Sequence, residues 1–512
     1  MRQRQIRIRN AAALIGMFLA SVVQANTFMV TRGDDPSPNG CLAGDCSLRE
    51  ALEAAVTTPA GDVVLLGAGL YNVTRGQLVV VGQVAIQGAG SASTSIVGAG
   101  AFDLMSVPAL GALSLDGVTM SSQEETLIAE DSSAFLHDVT ISAGSILAQA
   151  PGSGSASLRV EQSHIGGLFA CGGDNAVCQA FDSELNGVAV TFADIELARV
   201  EMNGVANGFG VYIAGEGSVK ISDSTIRGQS QLTFKGSGDP APDATISRTR
   251  FIGNFGPLSS DRNGTMRLVD VEFRDNIVNG ANNSKPAVIL ASNEGAWRIS
   301  RALFVGNRGG TGEGGAVRVT GGANVVMDNI TFDDNTFKTG LSGHGNTIGV
   351  DVTNSTSTIF WLFNATLRRA SIVASNVAGS VLSVNGSAAN VRLYNSLVDG
   401  TCAFGSGGLL FQAQGNVESI GNTCALLGID NNRFNIAANQ LRIGSLADHG
   451  GFTRTYLPAS GSPLLDTATP IWCQFGAIDQ RRYLRPSGGI ACDIGAVEAG
   501  ARQDTIFSTD FE

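Results

Sequence analysis

The sequence predicts an all-β fold, a single-stranded right-handed parallel β-helix with a short N-terminal capping helix, and three observations predict it. A short phrase of alternating apolar residues recurs along the middle of the chain, mostly at intervals of 21 to 31 residues. Four of these phrases run on into Phe-x-x-Asn. The composition, 66 Gly and only 15% charged residues in 512, suits many tight turns and few salt-bridged helices. Length alone would suggest three or so domains, but a repeat of this period with no helical spacing inside it points to one solenoid built from strands.

The chain opens with Arg2, Arg4, Arg7 and Arg9, then an apolar run from Ala11 to Val23, then Val23-Gln-Ala25. That order is a cleavable export signal over residues 1–25, with the mature chain starting near Asn26. The run is short for a membrane span, and no later segment reaches the ~20 apolar residues a spanning helix needs. Removal of the signal leaves 29 basic against 45 acidic side chains, a net charge of −16. Nucleic acid and anionic membrane are poor partners for such a chain. Disorder is excluded by 43% apolar residues, enough for a large core.

Next, Cys46-Ser-Leu-Arg-Glu-Ala51 runs on into Leu52-Glu-Ala-Ala55, where Ser47 is placed to cap a short helix with Glu50 three residues later. Such a helix closes the open end of a solenoid. Residues 26–60 form this cap, and residues 61–425 the β-helix. Val63-Val-Leu-Leu66, Leu78-Val-Val-Val81, Val84-Ala-Ile86, Ile96-Val97 and Phe102-Asp-Leu104 are short apolar runs between Gly-rich turns, the first coils.

From about residue 113 the phrase is plain, as in Leu113-Ser-Leu-Asp-Gly-Val-Thr-Met120 and Val325-Val-Met-Asp-Asn-Ile-Thr-Phe332. Its small or β-branched marker falls at Val118, Val139, Ser163, Val200, Ser224, Thr249, Val271, Ala302, Ile330, Ala365 and Ser396. Each phrase alternates with period two, and a polar pair interrupts it once, as a corner between two strands would. One coil cannot bury its inner face alone, so the coils must stack. The phrase weakens between 151 and 190 around Cys171 and Cys178, which suggests an excursion loop pinned by a disulfide. Phe251 to Asn254, Phe273 to Asn276, Phe304 to Asn307 and Phe332 to Asn335 predict a stacked Phe row and an Asn ladder, with the Asn in the left-handed conformation of a sharp corner.

All eight Cys lie in the exported part as near neighbours: Cys41 with Cys46, Cys171 with Cys178, Cys402 with Cys424, Cys473 with Cys492. An oxidising compartment favours four local disulfides. Zinc fits less well, because no Cys-x-x-Cys occurs and His137, His164, His344 and His449 are scattered.

Two stretches resemble known families. The Cys46 to Ala51 segment resembles the CSLREA domain that opens many exported bacterial β-helix proteins. Gly444-Ser-Leu-Ala-Asp-His-Gly-Gly-Phe-Thr-Arg-Thr455, Gly461-Ser-Pro-Leu-Leu-Asp466, Asp479-Gln-Arg481, Arg485-Pro486 and Cys492-Asp-Ile-Gly-Ala-Val-Glu498 together resemble a choice-of-anchor Q domain, which sets residues 426–499 apart as a C-terminal region. The acidic tail, residues 500–512, is similar to short acidic endings of other exported proteins. These resemblances imply a pectin-lyase-like solenoid displayed at, or released from, a bacterial cell surface; they imply no activity.

Many parallel β-helices depolymerise acidic polysaccharides, and a few residues of this chain echo their catalytic elements. Asp333-Asp334 followed by Gly343-His344-Gly345 echoes the Asp-Asp and Gly-His-Gly elements of polygalacturonases. The spacing of nine residues is too short to set them on successive coils, which makes Asp333 and Asp334 solvated corner residues and puts His344 on a loop. A lyase would need a base facing several carboxylates that hold calcium. Asp270, Glu272 and Asp275 are the calcium candidates, with Arg274 or Arg301 as the cation, but the pectate-lyase signatures Trp-x-Asp-His and an Arg-rich run ending in Pro are absent. No Gly-x-Ser-x-Gly elbow, phosphate loop or His-Glu-x-x-His occurs. The sequence therefore assigns no cofactor beyond calcium as a candidate, and sets no oligomeric state. Its leading functional expectation is a display or adhesion protein contacting glycan or a surface protein. A polysaccharide lyase or hydrolase and a passive structural component stand as alternatives. Exposed aromatic rows would favour the first, although Trp occurs only at Trp297, Trp361 and Trp472.

Overall fold

The computed structural model describes residues 25–55, 61–204, 210–229, 232–235, 243–260, 264–278, 285–292, 294–310, 314–337, 347–352, 357–369, 380–473, 477–486 and 491–501. The expected export signal up to residue 24, His344 and tail residues 502–512 lie outside them.

Period-two alternation buries every second side chain. In Ser133–Ala143, Ala134, Leu136, Val139 and Ile141 are buried, while Phe135, His137 and Thr140 face outward. Successive coils pair in parallel, residue over residue, in three faces. Face A runs from Thr27–Val30 and Asp62–Leu66 to Gln412–Gln414. Face B runs from Gly69–Val73 to Arg433–Ile436, and face C from Leu78–Val79 to Thr401–Phe404. Face A stacks sixteen strands, which at ~4.8 Å per step gives a rod on the order of 70 Å long. Nearly the whole interior is one continuous apolar cluster from Val30 to Leu426.

The corner from A to B is a single residue in the left-handed region: Asp138, Asp223, Asp270, Asn329, Asn364 and Asn395 adopt it, with φ between 49° and 55°. Arg199, Arg248 and Arg301 adopt it too, and each sits over an Asp on the coil below, pairing with Asp182, Asp223 and Asp270 at 2.6, 2.6 and 2.7 Å. Charge pairing along the corner thus helps hold side chains that disfavour this conformation.

The Asn ladder is present, but its left-handed residue is the one before each Asn: Gly253, Asp275, Gly306 and Asp334 have positive φ. The Asn stay out of that conformation because their role is inward. Each is buried, and Asn254, Asn276 and Asn307 donate from Nδ2 to the Oδ1 of the next ladder Asn at 3.0, 2.8 and 2.7 Å. Phe251, Phe273, Phe304 and Phe332 stack beside them with ring centroids 4.7, 4.9 and 4.4 Å apart.

The expected excursion at Cys171 and Cys178 is instead regular solenoid. His164–Gly172 and Ala176–Phe181 pair in register with their neighbours, and the disulfide closes inside the core. The marker of the overlooked coil is Ser183, whose Oγ accepts the Ser163 N–H. The other three expected disulfides are also formed.

At the N-terminal end the helix Leu48–Ala55, α1, is capped as expected: Ser47 N–H donates to Glu50 Oε2 at 2.8 Å, and Glu50 N–H to Ser47 Oγ at 3.3 Å. Its buried Leu48, Ala51, Leu52 and Ala55 belong to the central core. At the other end the chain turns back and lies along face B as a strap. Gly495 N–H donates to Asn395 O, Ala496 N–H to Thr366 Oγ1, Gln480 Nε2 to Ala302 O, and Arg482 to Asp270. The strap covers outward Leu397 and Val417, which with Leu441, Leu464, Ala468, Cys473, Cys492 and Ile494 make a second, smaller core.

Candidate binding face

The residues singled out by sequence mostly lie beneath the strap. Asp333 ends the strand Thr331–Asp333 and meets Tyr456 of the strap, so it is no solvated corner; burial pushes its carboxyl up. Burial, with Asp333 alongside, pushes the Tyr456 hydroxyl up to about 12, and the Arg368 guanidinium sits 4.8 Å from that ring while bonding Asp399 at 2.9 Å. Asp334 is the corner residue and pairs with Arg308 at 2.8 Å.

The calcium candidates do not converge on one point. Asp270 is buried between Arg301 and Arg482, at 2.7 and 2.6 Å. Glu272 lies near Arg250 and Arg274 at 3.3 and 3.7 Å, and Asp275 occupies the following corner. A carboxylate already neutralised by guanidinium groups is a poor part of an all-oxygen calcium shell. The carboxylates that do converge are Asp466, Asp493 and Glu498, with ligand atoms within 4.8 Å of one another. They belong to the C-terminal motifs noted in the sequence, but nothing local marks them as a group. Backbone N–H groups of Asp466, Asp493 and Ala499 and the nearby Arg485 already oppose their charge.

Concave regions lie open on the N-terminal coils, among them one on face A and one on face B. On face A, Ala85, Ser114, Phe135, Arg159 and Gln179 stack in register on successive coils. The short side chains leave a trough of about 480 Å³ between Gln83 at one end and Val177 and Gln179 at the other. Arg159 is held in place by Glu161 Oε1 at 2.7 Å and by the Phe181 ring, 4.6 Å from its guanidinium carbon. The trough therefore offers an aromatic face, apolar floor and a few amide and guanidinium donors on a rigid sheet. Alternation in the sequence shows which of these side chains point outward; which of them are neighbours becomes visible only once coil lengths are known.

On face B, ahead of the strap, a polar groove of about 630 Å³ holds Ser91, Asp138, His164, Glu184, Arg199 and Glu201. Glu184 stacks over Glu201, yet each has its own partner: Asn203 and His164 at 2.7 and 3.1 Å for Glu184, Arg227 at 3.1 Å for Glu201. The Asn203 hydrogen bond, the largest favourable influence, holds the Glu184 carboxyl below its ordinary value.

These faces and their register define the class: a single-stranded right-handed parallel β-helix. Among solved structures, the chain is similar to the mannuronan C-5 epimerase AlgE4 A-module of Azotobacter vinelandii, at 13% identity and a TM-score of 0.31, covering 76% of this chain and 97% of that one. It is similar to the pectate lyase Pel9A at 12% identity and a TM-score of 0.24, covering 93% and 97%. A PL6 alginate lyase in complex with a trisaccharide shows 11% identity and a TM-score of 0.28, covering 86% and 92%. No protein-family model and no curated protein matches the chain.

Proposed function

We propose that the protein is an exported β-helix display protein that holds glycan against face A. The trough around Phe135 carries this reading: a pocket with one aromatic platform, an apolar floor and a few fixed polar groups is the usual form of a small-ligand or sugar site. A rigid rod can present several weak contacts along its length, and these can add. Four disulfides support an oxidising compartment, and among the described residues no helix is long and apolar enough to cross a membrane. The CSLREA-like cap and the choice-of-anchor Q-like strap belong to this proposal as the elements that close and brace a displayed solenoid.

Affinity electrophoresis of the mature chain through gels containing neutral or acidic glycans tests it. Wild type is expected to be retarded by at least one glycan and Phe135→Ala to be retarded less, since removing an aromatic platform costs about 1–3 kcal/mol where a ring stacks on it. Equal mobility of the two proteins in every gel would remove the trough as the binding site.

A further inference from the structure

A second feature of face A, on its C-terminal coils, goes beyond the trough and rests on the glycan-binding reading above. Outward residues Arg267, Arg298, Val326, Trp361 and Arg392 stand directly over one another on five successive coils. Several other coils set unlike charges over each other, Asp116 with His137, Asp182 with Arg199, Glu196 with Lys220, Asp223 with Arg248, and where Glu184 stands over Glu201 each has a partner of its own. Arg267 over Arg298 is the reverse, a like-charge pair on adjacent strands, which is unfavourable in itself. Both are exposed, and neither forms an ion pair with any described carboxylate. On the flank towards the preceding turn, the same coils carry Thr265, Ala296, Asn324, Ile359 and Asn390, none of them acidic.

Among the described residues Arg392 has no carboxylate partner either. Its Nε donates to Asn390 Oδ1 at 3.1 Å, and its guanidinium carbon lies 4.6 Å from the Trp361 ring and 5.1 Å from the ring of Phe411, itself 60% exposed. The cation is thus held in orientation by two aromatic faces while no described acid pairs with its charge. Over four steps of ~4.8 Å the row spans about 19 Å, close to one sugar ring per coil for an extended chain. A protein with net charge −12 that lines up three guanidinium groups with no carboxylate partner among the described residues has placed cationic charge where its overall composition opposes it.

We infer that the row Arg267, Arg298, Trp361 and Arg392 binds an extended acidic polysaccharide of the polyuronate class, its carboxylates on the guanidinium groups and a ring face on Trp361 or Phe411. The acidic remainder of the chain does not prevent this, because at physiological salt charges beyond ~8 Å are largely screened and the local cations dominate. Guanidinium forks match carboxylates in planar, two-bond geometry, which separates uronates from neutral sugars.

The test is affinity electrophoresis of the full mature chain in gels containing polygalacturonate, alginate or a neutral glucan. It compares wild type, the exposed double variant Arg267→Glu with Arg298→Glu, and the trough variant Phe135→Ala. Wild type and Phe135→Ala should be retarded alike by a polyuronate, with retardation falling as salt rises. The double variant should lose roughly tenfold or more in affinity while melting no earlier than wild type. Equal retardation of the double variant and wild type, or wild-type retardation that ignores salt, would overturn the inference. Retention on neutral glucan alone, lost in Phe135→Ala, would overturn it and leave the trough standing, whereas no retention of wild type in any gel would overturn both.

Discussion

Replacing Asn307 by Leu is the most direct perturbation of the solenoid's internal bonding. The two side chains are of similar size, so the change removes hydrogen bonds without opening a large cavity. Asn307 is fully buried; its Oδ1 accepts the Asn276 N–H at 3.1 Å and Asn276 Nδ2 at 2.8 Å, and its Nδ2 donates to Phe273 O at 3.0 Å and Asn335 Oδ1 at 2.7 Å. After substitution Asn335 Oδ1 still receives the residue-307 N–H, and Asn276 Nδ2 still reaches Phe251 O. The Asn276 N–H is then left buried without its acceptor, and Phe273 O loses its side-chain donor. At about 1–3 kcal/mol for each buried group left unsatisfied, the expected loss is about 2–6 kcal/mol. Urea titration followed by far-UV circular dichroism, with Trp297 fluorescence reporting the neighbouring coil, would show an earlier or split transition, since solenoids lose cooperativity locally. A loss below about 0.5 kcal/mol, the scale of an ordinary surface substitution, would refute the ladder as a stabilising element.

Two further outcomes follow from the strap. Gln480 is buried and joins it to the solenoid, accepting from Thr331 Oγ1 at 2.6 Å and donating to Ala302 O and Thr453 Oγ1 at 3.1 and 2.9 Å. Gln480→Ala should weaken strap closure by about 2–4 kcal/mol, seen as faster amide exchange across residues 477–486 and 491–498 while the N-terminal coils keep their rates; unchanged exchange would contradict the docking. Asp328 is half-buried, and its desolvation pushes its carboxyl up despite hydrogen bonds from Ser300 and Asn329 and nearby Arg301 and Arg485. A raised folded-state value means its contribution is fully present below the unfolded value of about 3.9 and is lost as pH rises through the folded one. Asp328→Asn should therefore flatten the fall in urea midpoint above about pH 4 and be at least as stable as wild type at pH 7; a variant clearly less stable at pH 7 would show that ionised Asp328 is a net stabiliser.

The solenoid was legible because its signals are local. Phe-x-x-Asn, period-two alternation and the Ser47 to Glu50 cap each depend on residues a few positions apart. The coil marked by Ser183 was missed because coils there are short and its phrase, Cys178 to Leu185, carries a Cys and few β-branched residues. The left-handed residue at the ladder corner was misplaced by one because Gly, Asp and Asn crowd those corners, and only the backbone shows which of them turns. The strap's position could not be read at all: Gln480 meets Thr331 across 149 residues and Arg482 meets Asp270 across 212, and no pattern within either segment records the other. The same limit applies to the binding face. Trp361 lies in the wholly apolar run Ile359 to Phe363, where no alternation marks the outward side chains, and that it stands between Val326 and Arg392 depends on the lengths of the intervening turns.

The central claim, a glycan-holding face on an exported rod, is tested most directly by incubating purified residues 26–512 with a panel of acidic and neutral polysaccharides, with and without calcium, and measuring both retention of the protein and release of reducing ends or unsaturated products. The account predicts retention on at least one polysaccharide with no product released. Product release abolished by substitution of Glu184, Glu201 or Asp333 would contradict it and make the protein an enzyme.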